Sequence, residues 1–342
     1  MRSTPTPLLV AGLVLATLFA LNSFPQLTSV LLLVFSGVIL AVLLDAATQA
    51  MQRVLPGGRV PAYAATLAAI TLMFVLIALW IGPRIDQEIP RLIERMPEAW
   101  DSLRARVNNF EMLRGMLDDT AQPIDWFAGG TRVFSVVSST FGGIFNVFVV
   151  IFVGIYAAAS PRRYLSLGRD LMSRESRDRL GVVARELAHE LRLWLLGRGL
   201  SMAIVGIATG IGLFAMDVSL AFTLGLWAGL VSFVPYIGPL IGVVPALLIA
   251  AVESLGLAGW VLSLYIVIQA FESTVLTPLI QQRAIALPPV VLISAQLVGG
   301  VLMGPLGVLL AAPMVLTGAV TTRVLRAADR SDGQPADKGA GE

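Results

Sequence analysis

The sequence predicts an all-α polytopic membrane protein, and three observations carry that prediction. The 342 residues are 56% apolar and only 13% charged, with a mean hydropathy of +0.83. An average soluble domain carries about 25% charged residues, so this chain lacks the polar cover of a water-facing surface. The apolar residues are gathered into runs at 8–24, 27–44, 62–82 and 133–159, and about 20 residues of helix cross the hydrocarbon core. From 199 to 322 the chain is almost continuously apolar, its ionisable charges being Asp217, Glu253, Glu272 and Arg283. A soluble enzyme, a nucleic-acid binder and a disordered chain are excluded on these grounds.

Taken in order, the first two runs are near the lower limit for a span and predict a hairpin turning around Pro25. No convincing small-residue cleavage site follows the first run, which reads as an uncleaved anchor. Residues 1–83 thus form the N-terminal transmembrane helices. An extracytoplasmic amphipathic region at 84–132 and a further span at 133–159 follow. In the outer region Ile85, Ile89, Leu92, Met96, Trp100, Leu103, Val107 and Phe110 recur at close to heptad spacing. That pattern fits a helix lying on the domain's own membrane surface or a seam against another subunit, and Pro90 and Pro97 interrupt either. Residues 160–198 predict a cytoplasmic amphipathic helix, apolar along Leu180, Val183, Leu187, Leu191 and Trp194, with its arginines toward anionic headgroups. His189 falls on its polar side. A C-terminal transport region at 199–325 and a disordered cytoplasmic tail at 326–342 complete the plan.

Arginine placement sets the orientation. Residues 160–198 hold nine Arg against five acids, whereas 84–131 hold six Arg against nine. Arg53, Arg59, Arg323, Arg326 and Arg330 flank other spans. Both termini are therefore expected in the cytoplasm with 84–131 outside, and about eight transmembrane helices in all, some in the C-terminal half broken and re-entrant.

Catalytic readings fail for lack of parts. There is no Cys, one His (His189) and one Lys (Lys338). A P-loop needs Lys followed by Ser or Thr, and Lys338 is followed by Gly. A membrane zinc protease needs paired His, and an aspartyl protease needs two Asp where 199–325 holds only Asp217. The expectation is a non-enzyme with no cofactor and no metal centre.

What the sequence keeps are the parts of a permeation path. Bilayer-spanning sequence is broken by Gly and Pro mainly where the backbone is sheltered or lines a cavity. Two such breaks share a Gly-Pro-Leu core: Gly238-Pro239-Leu240 with Gly242 and Pro245, and Gly304-Pro305-Leu306 with Gly307 and Pro313. They fit a transporter's substrate site or two tight hairpin turns between spans. Glycines four apart at Gly206/Gly210, Gly225/Gly229 and Gly238/Gly242 suit close helix packing. Glu272 is the most informative charge, because a carboxyl at membrane depth is costly unless paired, hydrated or protonated. It fits a cation or proton site, a polar contact for cargo, or a structural carboxyl satisfied by Gln269, Thr277 or unwound backbone. Arg283 could pair with it only if the chain turns back beyond Pro278. Asp217 and Glu253 stand at the ends of apolar runs, where interfacial solvation accounts for them.

The residues from Pro235-Tyr236-Ile237-Gly238-Pro239, through Gln269-x-x-Glu272-Ser273 to Pro278 and Leu287-Pro288, to Gly299-Gly300…Gly304…Gly307…Ala311-Ala312-Pro313, resemble the autoinducer-2 exporter family, or PerM-type permeases. Ser273 stands where that family often has Asn, and Pro305 interrupts the last motif. The resemblance implies a bacterial inner-membrane transporter of about eight spans with a transport path near these motifs, assembling as a homo-oligomer, a pentamer in some members. Members export the quorum-sensing signal autoinducer-2 or exchange sodium or lithium for protons. Cargo contacts for an uncharged, hydroxyl-rich signal would come from Tyr236, Gln269, Ser273 and Gln296, whereas an antiporter would cycle a proton on Glu272. Small molecule or ion, and membrane lipids, are the expected partners, with no nucleic acid. A membrane scaffold without transport is the remaining alternative.

Overall fold

A computed structural model describes residues 7–79, 82, 83, 90, 140–161, 163, 164, 166, 174–281 and 287–332. Among the described residues the secondary structure is helical, with no strand. The outer amphipathic seam and Arg283 lie outside them. Among the described residues five helical segments are long and apolar enough to cross a membrane by length and composition: Leu27–Val54, Arg59–Leu79, Arg179–Ala215, Leu255–Leu279 and Pro289–Ala327, the last with a break inside it at Gly304. The protein is an all-α, multi-pass membrane protein.

Helices α1 (Pro7–Val54), α2 (Arg59–Leu79) and α3 (Thr140–Ala159) pack together first. The expected hairpin at Pro25 is absent: α1 runs through it as one helix of 48 residues. In an apolar run a proline costs one backbone hydrogen bond and a kink rather than the helix, because no water competes for the remaining bonds. Ala41, Leu44 and Ala158 form the buried centre of this group, with Leu40, Tyr63 and Ile155 around them. At its end Arg59 closes the corner, donating to Asp45 at 2.6 Å and to the Ala158 carbonyl at 2.9 Å.

Helix α4 (Arg174–Ala215) continues without a break from the arginine-rich segment into the apolar one. Nothing in its sequence stops it, since it holds no proline and its glycines are spaced singly. The apolar stripe at Leu187, Leu191 and Trp194 is used inside the chain rather than on a membrane surface. It packs on Leu287, Val315, Leu316 and Val320 and on Val42 of α1. His189 is exposed, as its place on the polar side implies.

A turn at 216–220 returns the chain as α5 (Ala221–Val231), only 11 residues long, and a tight turn at 232–236 leads into α6 (Ile237–Glu253). At about 1.5 Å per residue, α5 is about 16 Å long and cannot cross the hydrocarbon core. The glycine spacing makes α4 and α5 touch backbone to backbone. A Cβ on Gly225 would stand 2.6 Å from Gly210 Cα, and one on Gly229 would stand 2.8 Å from the Met202 carbonyl. Beside this contact Leu213, Val218, Leu224, Ala246, Ile249 and Val261 form the main buried cluster.

Ser254 then caps α7 (Leu255–Phe271), accepting from the Leu257 amide at 3.0 Å. A π-helical turn, Glu272–Leu276, and a short α8 (Thr277–Gln281) continue the same rod. Last comes α9 (Pro289–Asp332), which is two arms rather than one helix. Gly304 has φ 65° and ψ −154°, a backbone region open essentially to glycine alone. A Cβ on Gly299 would meet the Gly307 carbonyl at 2.7 Å, whereas eight residues of straight helix separate such atoms by about 12 Å. The chain therefore reverses at Gly304, and 289–303 lies antiparallel to 305–332.

Candidate functional site

The site begins with Arg198, placed at the point where α4 turns from arginine-rich to apolar. One turn before it, Trp194 stacks edge-on against Phe233, with ring centroids 5.8 Å apart, which seats the 232–236 turn against α4. Arg198 then reaches two targets: its Nε donates to the Phe233 carbonyl at 3.1 Å and its Nη1 to Glu272 Oε1 at 3.1 Å. Ser201, buried and on the same face of α4, donates to that same Oε1 at 2.6 Å. The side chains of Arg198 and Glu272 keep only 12% and 5% of their exposure. A carboxylate so buried needs a counter-charge and hydrogen bonds to persist, and Arg198 and Ser201 supply both. The π turn at Glu272 is a local departure from the α-helix of the kind found often at functional sites.

From the other side Gln296, fully buried on the first arm of α9, donates through Nε2 to the Pro235 carbonyl at 2.9 Å. Two carbonyls of one turn are thus held by side chains from two different helices. Immediately after them Tyr236, at the start of α6, adopts φ 66° and ψ −50°, with φ positive for a residue with a side chain, and is 42% exposed. Among the described residues, four side-chain atoms are buried with no hydrogen-bond partner: Arg198 Nη2, Glu272 Oε2, Gln296 Oε1 and Thr209 Oγ1. Of their residues, Arg198 and Gln296 bond to this turn and Glu272 bonds to Arg198.

The residues expected from sequence distribute as follows. Pro235, Tyr236, Gly238 and Pro239 form the turn and the start of α6, where a Cβ on Gly238 would run into the Val231 carbonyl. Glu272 is at the centre. Gln269 is half-buried one turn earlier, while Ser273 is exposed and donates to its own helix at the Ala270 carbonyl, 3.1 Å away, outside the cluster. Pro278 is exposed beyond the π turn. Gly300, Gly304 and Gly307 build the α9 reversal, and Pro313 is buried in its second arm. The partners Gln269 and Thr277 considered for Glu272 give way to Arg198 and Ser201, 74 and 71 residues away in sequence. Sequence reasoning missed both. The available signal was that Arg198 is the last basic residue before a long apolar stretch holding a lone buried Glu.

This arrangement is neutral as a unit and offers hydrogen-bonding atoms inside an apolar wall, with side chains from α4, α9 and the π turn gathered on the 232–236 turn. The family model described as AI-2E family transporter matches residues 9–327. The chain belongs to the AI-2E transporter family. Within that family of transport proteins, it is similar to YrrI of Bacillus subtilis, whose name marks it as a candidate transport protein. The two are 28% identical over 270 residues, covering 72% of this chain and 74% of that one. The similarity to AI-2 transport protein TqsA of Escherichia coli is 22% over 265 residues, 75% of each chain. A segment of a candidate transport protein of Thermotoga maritima is 34% identical over 122 residues, 35% of this chain and 37% of that one.

Proposed function

We propose that this AI-2E transporter family member sits in a bacterial inner membrane and exports a small uncharged signal of the autoinducer-2 type without hydrolysing ATP. The observation that carries the reading is the self-neutralised cluster. Glu272 is already paired with Arg198 and bonded to Ser201, so the site presents polar atoms without a net charge that would favour an ionic cargo. The name of the Escherichia coli relative, an AI-2 transport protein, supports the cargo class. Arginine placement supports cytoplasmic termini, with lipids and further copies of the chain, a pentamer by resemblance, as partners. A molecular mass of one protomer in mild detergent would refute that assembly.

A second reading, sodium or lithium exchange for protons, is favoured by one feature: Glu272 Oε2 is buried and unpartnered, a position where a cation could be ligated. Flux in proteoliposomes separates the two. Labelled autoinducer-2 and sodium-driven proton movement are measured for the wild type and Glu272→Gln. Saturable signal flux indifferent to the pH gradient, and still measurable in the variant, is expected. Proton movement driven by sodium and lost in the variant would transfer the protein to the antiporter reading. Absence of any saturable flux would leave a scaffold.

A further inference from the structure

The ion pair between Arg198 and Glu272 is made with one hand of each partner. A guanidinium and a carboxylate can form two parallel hydrogen bonds, the stronger and more specific arrangement, yet here only Nη1 and Oε1 meet. Nη2 and Oε2, each bonded to the same carbon as an atom already in contact, are left buried and open. The same pattern recurs at Gln296. Its amide nitrogen must face the Pro235 carbonyl, because a carbonyl only accepts, so its oxygen is turned away and is likewise open. Buried polar atoms are nearly always satisfied, and exceptions call for a missing partner. Thr209 Oγ1, the fourth open atom, is 11 residues from Arg198 along α4, about 16 Å of helix, and stands apart from the other three.

The three atoms define a chemical complement. Nη2 is a donor, and Oε2 and Oε1 are acceptors. An ammonium group cannot accept from Nη2. A carboxylate or phosphate cannot donate to the two acceptors, and a metal cation would face the guanidinium. Hydroxyl groups both donate and accept, and two of them satisfy all three atoms: one bridges Nη2 and Oε2, and the other donates to Gln296. We propose that Arg198 Nη2, Glu272 Oε2 and Gln296 Oε1 form the binding site for two hydroxyls of a small uncharged cargo, an inference that rests on the exporter reading above. Arg198 and Gln296 also hold the Phe233 and Pro235 carbonyls with their remaining donors. Cargo therefore loads the same two side chains that fix the 232–236 turn, and occupancy and turn position are linked.

The test is equilibrium binding to the purified full-length protein in lipid nanodiscs. The probes are labelled autoinducer-2 and two analogues that each lack one hydroxyl. In the wild type the analogue without the hydroxyl that donates to Gln296 should bind about tenfold more weakly, the worth of one hydrogen bond, and the analogue without the bridging hydroxyl, which loses two, should bind more weakly still. Gln296→Leu should weaken autoinducer-2 about tenfold more than it weakens the analogue without the hydroxyl that donates to Gln296, because that analogue no longer uses the amide oxygen. A merely structural Gln296 would weaken all three probes alike, which overturns the site. Equal binding of the three probes to the wild type also overturns it, while signal flux in proteoliposomes would leave the exporter reading standing. A wild type that neither binds nor carries the signal overturns both.

Discussion

Replacing Arg198 by Met keeps most of the side chain's length and removes its charge, which isolates the electrostatic part of the cluster. The variant loses the 3.1 Å ion pair to Glu272 and the 3.1 Å hydrogen bond to the Phe233 carbonyl, leaving Glu272 with Ser201 alone. Because the Glu272 side chain is only 5% exposed, water cannot replace the lost partner. Breaking a buried pair from one side costs about 3–5 kcal/mol, so Arg198→Met should be destabilised by about that much. Arg198→Met with Glu272→Gln removes both charges and leaves mainly the unsatisfied Phe233 carbonyl, a cost of about 1–3 kcal/mol. The double variant should therefore be more stable than Arg198→Met alone. Equilibrium unfolding in mixed micelles with rising sodium dodecyl sulfate, followed by tryptophan fluorescence across the four proteins, measures the cycle. Single effects that add to within about 0.5 kcal/mol would show no coupling, and the cluster as described would be wrong.

Four further outcomes are expected. Gly225→Ala should destabilise by about 1–3 kcal/mol, because its Cβ meets Gly210 backbone at 2.6 Å and neither helix can yield locally; Gly318→Ala, with nothing within 4 Å of the new methyl, should stabilise by about 0.5–1 kcal/mol in the same unfolding assay. Gly304→Ala should cost about 1–3 kcal/mol through its φ of 65° rather than through any clash, and an unchanged midpoint would argue against the reversal. Arg59→Ala should cost at most about 1 kcal/mol, because its pair with Asp45 is 37% and 28% exposed and water-screened, and a midpoint that ignores added salt would contradict that assignment.

Much of the fold was legible because the bilayer simplifies the problem. Long uncharged runs have few options besides helix, and the Gly-Pro pairs at 238–239 and 304–305 mark where the backbone turns. The glycine pairs announced the α4–α5 contact for the same reason, since only the absence of a side chain permits that distance. The two misreadings come from competing local forces. Pro25 suggested a turn where an apolar surround lets the helix continue, and the stripe along 187–194 suggested a membrane surface where a neighbouring helix covers it. At the site, Glu272 and Gln296 stood out as polar residues in apolar sequence. Arg198 and Ser201 did not, because pairing across more than 70 residues has no periodic signature and Ser201 looks like any small residue in a tight helix.

The continuity of α4 has a mechanical consequence. From Arg174 to Arg198 it is a single rod of about 36 Å, and its half nearer Arg198 is fastened by Glu186 and Glu190 to Arg323, at 3.5 and 3.0 Å, and by Arg192 to Gln49, at 3.0 Å. Rotation of the rod about its axis would carry Arg198 and Ser201 around with it and must first slip those fastenings. Glu272 is thus tied, through one unbroken helix, to the α4–α9 clasp two to three turns before Arg198.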